Sequence, residues 1–227
     1  MDLTDFEDHI GYTFKNKDIL VRAFTHSSYA NETNAERGPS NERLEFLGDA
    51  VLETVVSEYL YKNYPDMPEG ELTGLRAGVV CESVLVKKSN ELNIGKYLLL
   101  GKGEERTGGR YRHSILADAF EAVAGAVFID GGYVKAKKFL INHLSGEIAV
   151  KRGVYKTGDH KSYLQELVQK NDARVIYQIV DESGPDHEKI FTARAVYRNR
   201  AIGEGTGRTK KEAEQNAARI ALDAFAP

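Results

Sequence analysis

The stretch from Ile115 to Ile129, ILADAFEAVAGAVFI, is apolar on every side of a helix, and its only charges are Asp118 and Glu121. A helix without a polar face belongs inside a folded core. The two acids are then costly unless something positive meets them. Their i, i+3 spacing puts them on one helix face. A second acidic pair, Glu45 and Asp49 at i, i+4, lies in another apolar stretch, NERLEFLGDAVL, from Asn41 to Leu52. Two such pairs facing each other would form an oxygen-rich site for a hard divalent cation. That is the equipment of metal-assisted phosphodiester chemistry. Acids at helical spacing also occur on solvated faces, and the spacing alone leaves both readings open.

Residues 1–150 read as mostly helical. Leu44, Leu47, Val51, Leu52, Val55 and Val56 recur at helical spacing and predict a helix from Ser40 to Tyr61, bracketed by Pro39 and Pro65. Further helices are expected over Pro68–Val80, Glu82–Leu92, Ser114–Ile129 and Tyr133–Val150. Ala117, Ala119, Ala122, Ala124, Gly125 and Ala126 would allow close helix packing. Gly101–Arg112, rich in glycine and charge, predicts a loop whose Arg106, Arg110 and Arg112 are candidates to meet substrate phosphates. Residues 151–158, with Gly153 and Gly158, read as a linker. The pattern changes over residues 159–227. A short helix at Ser162–Gln169 precedes strands at Val175–Val180, around Phe191–Val196, and at Ala201–Gly205. A helix over Thr209–Phe225 places Ala213, Ala217, Ile220, Ala221 and Ala224 inward. The expected class is multidomain: an all-α N-terminal domain followed by an α+β module of order αβββα.

The Gly203–Gly207 segment and Arg208-Thr209-Lys210-Lys211 read as a glycine-rich turn entering a helix. Helix starts attract anions, and the three basic residues add full charge there. A flexible loop with a solvated basic start fits the same residues. Net charge is −3, which does not favour nucleic acid. From Gly158 onward there are 11 basic and 11 acidic residues, so the acidic excess belongs to the first part, with 20 and 23. Any affinity for nucleic acid must come from local clusters. A single cysteine, Cys81, excludes an intrachain disulfide and reads as a small core residue in a reducing compartment. The acidic N-terminal residues lack the apolar core of a secretory signal, and no apolar run approaches bilayer length. A cytoplasmic protein without membrane contact is expected.

Asn41–Leu52 resembles the signature segment of the bacterial ribonuclease III family. Ser114–Asp130 resembles that family's second acidic helix, and Thr25-His26-Ser27-Ser28 its N-terminal segment. From Asp159 on, the element order resembles a double-stranded RNA-binding domain, with Lys210-Lys211-Glu212-Ala213-Glu214 matching its hallmark helix start. The resemblance runs from about Asp5 to Phe225. It implies a catalytic domain over 1–150, a linker over 151–158 and an RNA-binding domain over 159–227. It further implies a metal-binding set of Glu45, Asp49, Asp118 and Glu121, with Asp49 and Glu121 foremost in catalysis, and Glu42 and Glu69 as candidate accessory acids. Gln165 and His187 correspond to minor-groove contacts, and Arg208, Lys210 and Lys211 to the phosphate grip. The implied protein is a homodimeric, Mg²⁺-dependent endoribonuclease, with Mn²⁺ able to substitute. It would cut double-stranded RNA to 5′-phosphate and 3′-hydroxyl ends with short 3′ overhangs, acting on ribosomal RNA precursors and structured messenger RNAs.

The residues by themselves admit two other classes. A protein that binds or chaperones duplex RNA without cutting it would have no need of buried like charges. A carboxylate-bridged redox metal protein would normally carry Glu-x-x-His motifs, which accompany neither Glu45 nor Asp118. The six histidines lack metal-ligand spacing and read as surface or core residues.

Overall fold

The computed structural model describes residues 3–33, 39–157, 159–168, 174–185 and 188–224. Helices α1 (Thr4–Ile10), α2 (Lys17–Ala23) and α3 (Ser27–Glu32) lead into the long α4 (Glu42–Asn63). They are followed by α5 (Glu69–Val80), α6 (Glu82–Glu91), α7 (Ile94–Tyr97), α8 (Lys102–Arg106), a 3-10 turn (Gly109–Tyr111) and α9 (His113–Thr157). The module at the end of the chain is α10 (His160–Val168), β1 (Ile176–Ser183), β2 (Ile190–Tyr197), β3 (Arg200–Gly207) and α11 (Lys210–Ala224). Contacts group the chain into two compact units, Met1–Asn63 with Val80–Ser145, and Tyr64–Val79 with Gly146–Pro227.

In the first unit the apolar stretch of α9 is central. Ala119, Phe120, Ala122, Val123, Ala124, Ala126 and Val127 are all fully buried, as an all-apolar helix requires. Gly48 of α4 and Gly125 of α9 set the crossing. A Cβ on Gly48 would stand 1.8 Å from the Glu121 carbonyl oxygen, and one on Gly125 2.3 Å from that of Leu44. The two backbones therefore touch directly, which only glycine allows. A break at Gly132 (φ 76°, ψ 178°) divides α9 where two helices were expected; positive φ there suits glycine. Just before the break, the Asp130 carboxylate accepts from Tyr12 Oη (2.6 Å) and from the backbone N–H groups of Lys15 (2.9 Å) and Asn16 (3.0 Å). Beyond it, Glu58 of α4 accepts from Tyr133 and from Lys137 (2.9 Å). Phe6, Phe24 and Tyr97 form a second knot, with ring centroids 4.9–5.5 Å apart.

In the second unit β1, β2 and β3 make an antiparallel sheet in sequence order. Ala193 and Ala195 of β2 are fully buried on the side that α11 covers with Ala213, Ala217, Ala218 and Ala221. Ile220, expected inward, is 38% exposed, and Ala218 takes the inner position. Within the same unit, fully buried Tyr163 of α10 packs its hydroxyl against Gly78, and Lys151 lies over its ring at 4.7 Å.

Four expectations need correction. Gly101–Arg112 is not a loop: α8 and the 3-10 turn occupy it, because its charges pair locally. Arg110 donates to the carbonyls of Gly95 (2.5 Å) and Leu98 (3.0 Å) and to Glu105 (2.9 Å), and Arg112 pairs with Glu104 at 2.7 Å. The segment read as a linker is helical to Thr157. A helical glycine costs only about 1 kcal/mol, and Arg152 lies over Tyr64 at 4.5 Å. Gly203–Gly207 is strand rather than turn. Cβ atoms at Gly203, Gly205 and Gly207 would come within 2.3–2.5 Å of α11 backbone atoms, so these glycines let the helix lie against the sheet. Cys81 is half-buried at the start of α6, its Sγ 3.1 Å from Ser83 Oγ, and is not a core residue.

Candidate metal centre and nucleic-acid interface

The Gly48–Gly125 crossing carries the acids of α4 and α9 to one place. Glu45, Asp118 and Glu121 each offer a carboxylate oxygen within 4.8 Å of the others, and all three are half-buried. Asp49, one turn beyond Glu45, is exposed and stands outside that trio, yet its charge acts on Glu121. Glu42 is exposed and accepts from Ser40 Oγ at 2.9 Å. Glu69 begins α5, in the other compact unit, and accepts from Thr73 Oγ1 at 2.9 Å.

Electrostatics at the trio is one-sided. Burial and the neighbouring carboxylates of Asp49, Asp118, Glu45 and Glu53 push the Glu121 carboxyl up to about 8. Burial, then Asp118, Glu42 and Asp49, raise Glu45. Asp118 is raised chiefly by burial, with His26 acting the other way. A site whose carboxyls hold protons at neutral pH through mutual repulsion lacks positive charge. Its all-oxygen donors suit a hard divalent cation. The residues present therefore fit Mg²⁺ or Mn²⁺.

A pH dependence follows. The folded chain keeps the Glu121 proton up to about 8, whereas the unfolded chain releases it near the ordinary 4.5. Without metal, stability is therefore lost as pH rises through that window, by about 1–3 kcal/mol once solvent screening is allowed for. Glu121→Gln is expected to flatten the slope, as read from melting midpoints in chelator across pH 5–8.5. A slope identical in the variant would contradict the assignment.

On the RNA-binding module, Thr209 and Glu212 close the start of α11. Thr209 Oγ1 accepts from the Glu212 N–H at 3.1 Å, and the Glu212 carboxylate accepts from the Arg208 N–H at 2.8 Å. Those backbone donors are thus engaged, which shifts anion attraction onto the side chains of Arg208, Lys210 and Lys211, all exposed. Lys210 Nζ sits 3.0 Å from Glu182 Oε1 and 5.4 Å from the Phe191 ring centroid. Gln165 is half-buried, and its Oε1 accepts from the Val175 N–H at 3.1 Å. His187 lies outside the described residues. Sequence reasoning missed His26, for which the Thr25-His26-Ser27-Ser28 match was the available signal.

Comparison with known proteins agrees with this layout. Residues 16–148 match the family model "Ribonuclease-III-like", and residues 160–224 match "Double-stranded RNA binding motif". Ribonuclease 3 of Oceanobacillus iheyensis is 53% identical, with 99% of each chain covered. Ribonuclease 3 of Pelotomaculum thermopropionicum is 51% identical over 97% of this chain and 92% of its own. Among solved structures, a nuclease domain of ribonuclease III from Campylobacter jejuni is 39% identical with TM-score 0.59, covering 64% of this chain and 97% of that one. Its description speaks of a region involved in dimer formation.

Proposed function

From the premise that this chain belongs to the ribonuclease III family, we propose that its acidic site hydrolyses double-stranded RNA with Mg²⁺ to 5′-phosphate and 3′-hydroxyl ends, leaving short 3′ overhangs. The chain is an endoribonuclease of that family and carries a double-stranded RNA-binding domain. The observation that carries the finer reading is the clustering of Glu45, Asp118 and Glu121 within 4.8 Å.

Glu45, Asp118 and Glu121 would hold the cation, with Asp49 adding charge from the next turn of α4. The bound cation supplies an activated water and neutralises charge on the phosphate. The carboxylates bind and orient; their α4 and α9 scaffold keeps the separation fixed. Glu121 gives up its proton when the cation arrives, since the cation supplies the positive charge its surroundings lack. Glu42 and Glu69 act, in this reading, as accessory acids.

Lys210, Lys211 and Arg208 grip phosphates, while Gln165 and His187 reach minor grooves, so recognition follows the shape of the duplex. The catalytic domain is proposed to span 1–150 and the RNA-binding domain 159–227. The functional form is a homodimer, which would give two cuts per duplex. Phe46, one residue from Glu45 and 80% exposed, offers apolar surface for a second copy. Among the described residues no helix is long and apolar enough to cross a membrane. Action in the cytoplasm on ribosomal RNA precursors and structured messenger RNAs completes the proposal.

The test is cleavage of a long perfect RNA duplex by the full chain, with Mg²⁺ and with chelator. Short products bearing 5′-phosphates only with Mg²⁺ are expected. Intact RNA that still shifts on a gel would overturn the reading in favour of a binding protein. A second expected result concerns the grip. Lys210→Ala with Lys211→Ala should weaken duplex binding and reduce the salt slope by about 1–2. An unchanged slope would remove both lysines from the interface.

A further inference from the structure

His26 opens α3 and is held from two directions. Its Nδ1 accepts from the Ser28 backbone N–H at 3.2 Å and lies 2.8 Å from Ser28 Oγ. That hydroxyl accepts from the Gly101 N–H at 2.9 Å, so its own hydrogen is available to Nδ1. A lone pair on Nδ1 assigns the ring proton to Nε2. In the imidazolium form both nitrogens carry a proton, so Nε2 is a donor in either state.

The backbone around the ring is pinned as firmly. The His26 N–H donates to the Leu99 carbonyl at 3.1 Å, and the Thr25 carbonyl accepts from the Asn41 N–H at 2.8 Å. Buried Asn41 in turn starts α4, its carbonyl accepting from the Glu45 N–H at 2.9 Å. His26 therefore stands at the root of the acid-bearing helix. Its imidazole draws down the Asp118 carboxyl that burial raises, whereas carboxylates are the only charges acting on Glu45 and Glu121.

We propose that His26 is a positioning residue of the acidic site: its Nε2–H, aimed by the Ser28–Gly101 relay, orients the Asp118 carboxylate for a divalent cation. The inference rests on the metal site of the proposed function. Partners that hydrogen-bond a ligating group fix its direction, and their loss typically weakens metal binding or activity about 10–100-fold. The relay explains why a histidine and a serine two residues apart are joined to the turn at Gly101: each bond removes a rotation from the ring.

The experiment measures Mn²⁺ binding to the full chain without RNA, by electron paramagnetic resonance of free Mn²⁺, for wild type, His26→Ala, His26→Gln and Ser28→Ala. Melting midpoints in chelator are recorded alongside. His26→Ala is expected to weaken Mn²⁺ about 10–100-fold, and His26→Gln, which keeps an N–H donor, to recover part of it. Ser28→Ala should fall between wild type and His26→Ala, with metal-free melting little changed. Unchanged Mn²⁺ affinity in His26→Ala overturns the proposal. So do equal losses in the alanine and glutamine variants that track lowered melting, which would mark a purely structural role. Wild type that binds Mn²⁺ but leaves duplex RNA intact would sink the nuclease reading alone, with His26 still judged on metal affinity. Wild type that binds no Mn²⁺ overturns both.

Discussion

Glu121→Ala is expected to lower Mg²⁺-dependent cleavage by ~10³-fold or more, because removing a ligand forfeits several kcal/mol of charge stabilisation at the reacting phosphate. Affinity for duplex RNA, measured in Ca²⁺ or chelator, should stay within a few-fold of wild type, since the RNA grip is assigned to α10, the β1–β2 loop and the start of α11. Single-turnover cleavage and gel-shift affinity on one preparation separate the two effects. Parallel loss of both would mean that Glu121 supports the fold rather than the chemistry. The metal-free fold should tolerate the change. Truncation removes a carboxyl whose neighbours Asp49, Asp118 and Glu45 all repel its charge, at the cost of a small cavity.

Gly48→Leu is expected to destabilise the chain by about 3 kcal/mol or more, from the denaturant midpoint, and to abolish cleavage. Any Cβ there meets the Glu121 carbonyl at 1.8 Å, and a backbone atom cannot swing away as a side chain can. The helices must part, and parting them separates Glu45 from Glu121. Gly103→Ala is the matched control. Nothing lies within 4 Å of its Cβ direction, so stability should hold or rise slightly, alanine being the better helix former. A wild-type-like Gly48→Leu midpoint would refute the backbone-contact account of the crossing.

Much of this was legible in the sequence, for identifiable reasons. The helix expected over Ser40–Tyr61 is observed over Glu42–Asn63, because its apolar spacing is long and regular. The all-apolar 115–129 stretch could only be a buried helix. The small residues that predicted close packing include Gly125, one half of the crossing. Gly101–Arg112 was misleading because composition was weighed without its pairings: Arg110 and Arg112 are occupied by Glu105 and Glu104 rather than awaiting substrate. The Gly203–Gly207 run was taken for a turn because glycine commonly marks one, whereas here the alternate glycines form the face of β3 against α11. At the site, helical spacing could pair acids within each helix but could not say which would converge across helices. Glu45, Asp118 and Glu121 do so, and Asp49 stands a turn away. His26 was overlooked because its bonds run to Ser28 and onward to Gly101, a link that sequence spacing does not reveal.

Because α4 and α9 meet main chain to main chain at Gly48 and Gly125, the span between their carboxylates is gauged by peptide dimensions rather than by the volumes of core side chains. Substitutions elsewhere in the core can therefore accumulate without retuning the bite of the site, so the interior is free to drift over generations while its chemistry holds still. The corollary is brittleness at two positions: neither glycine has a neighbour that could yield to compensate, so a lineage that loses either has no gradual route back to the same geometry.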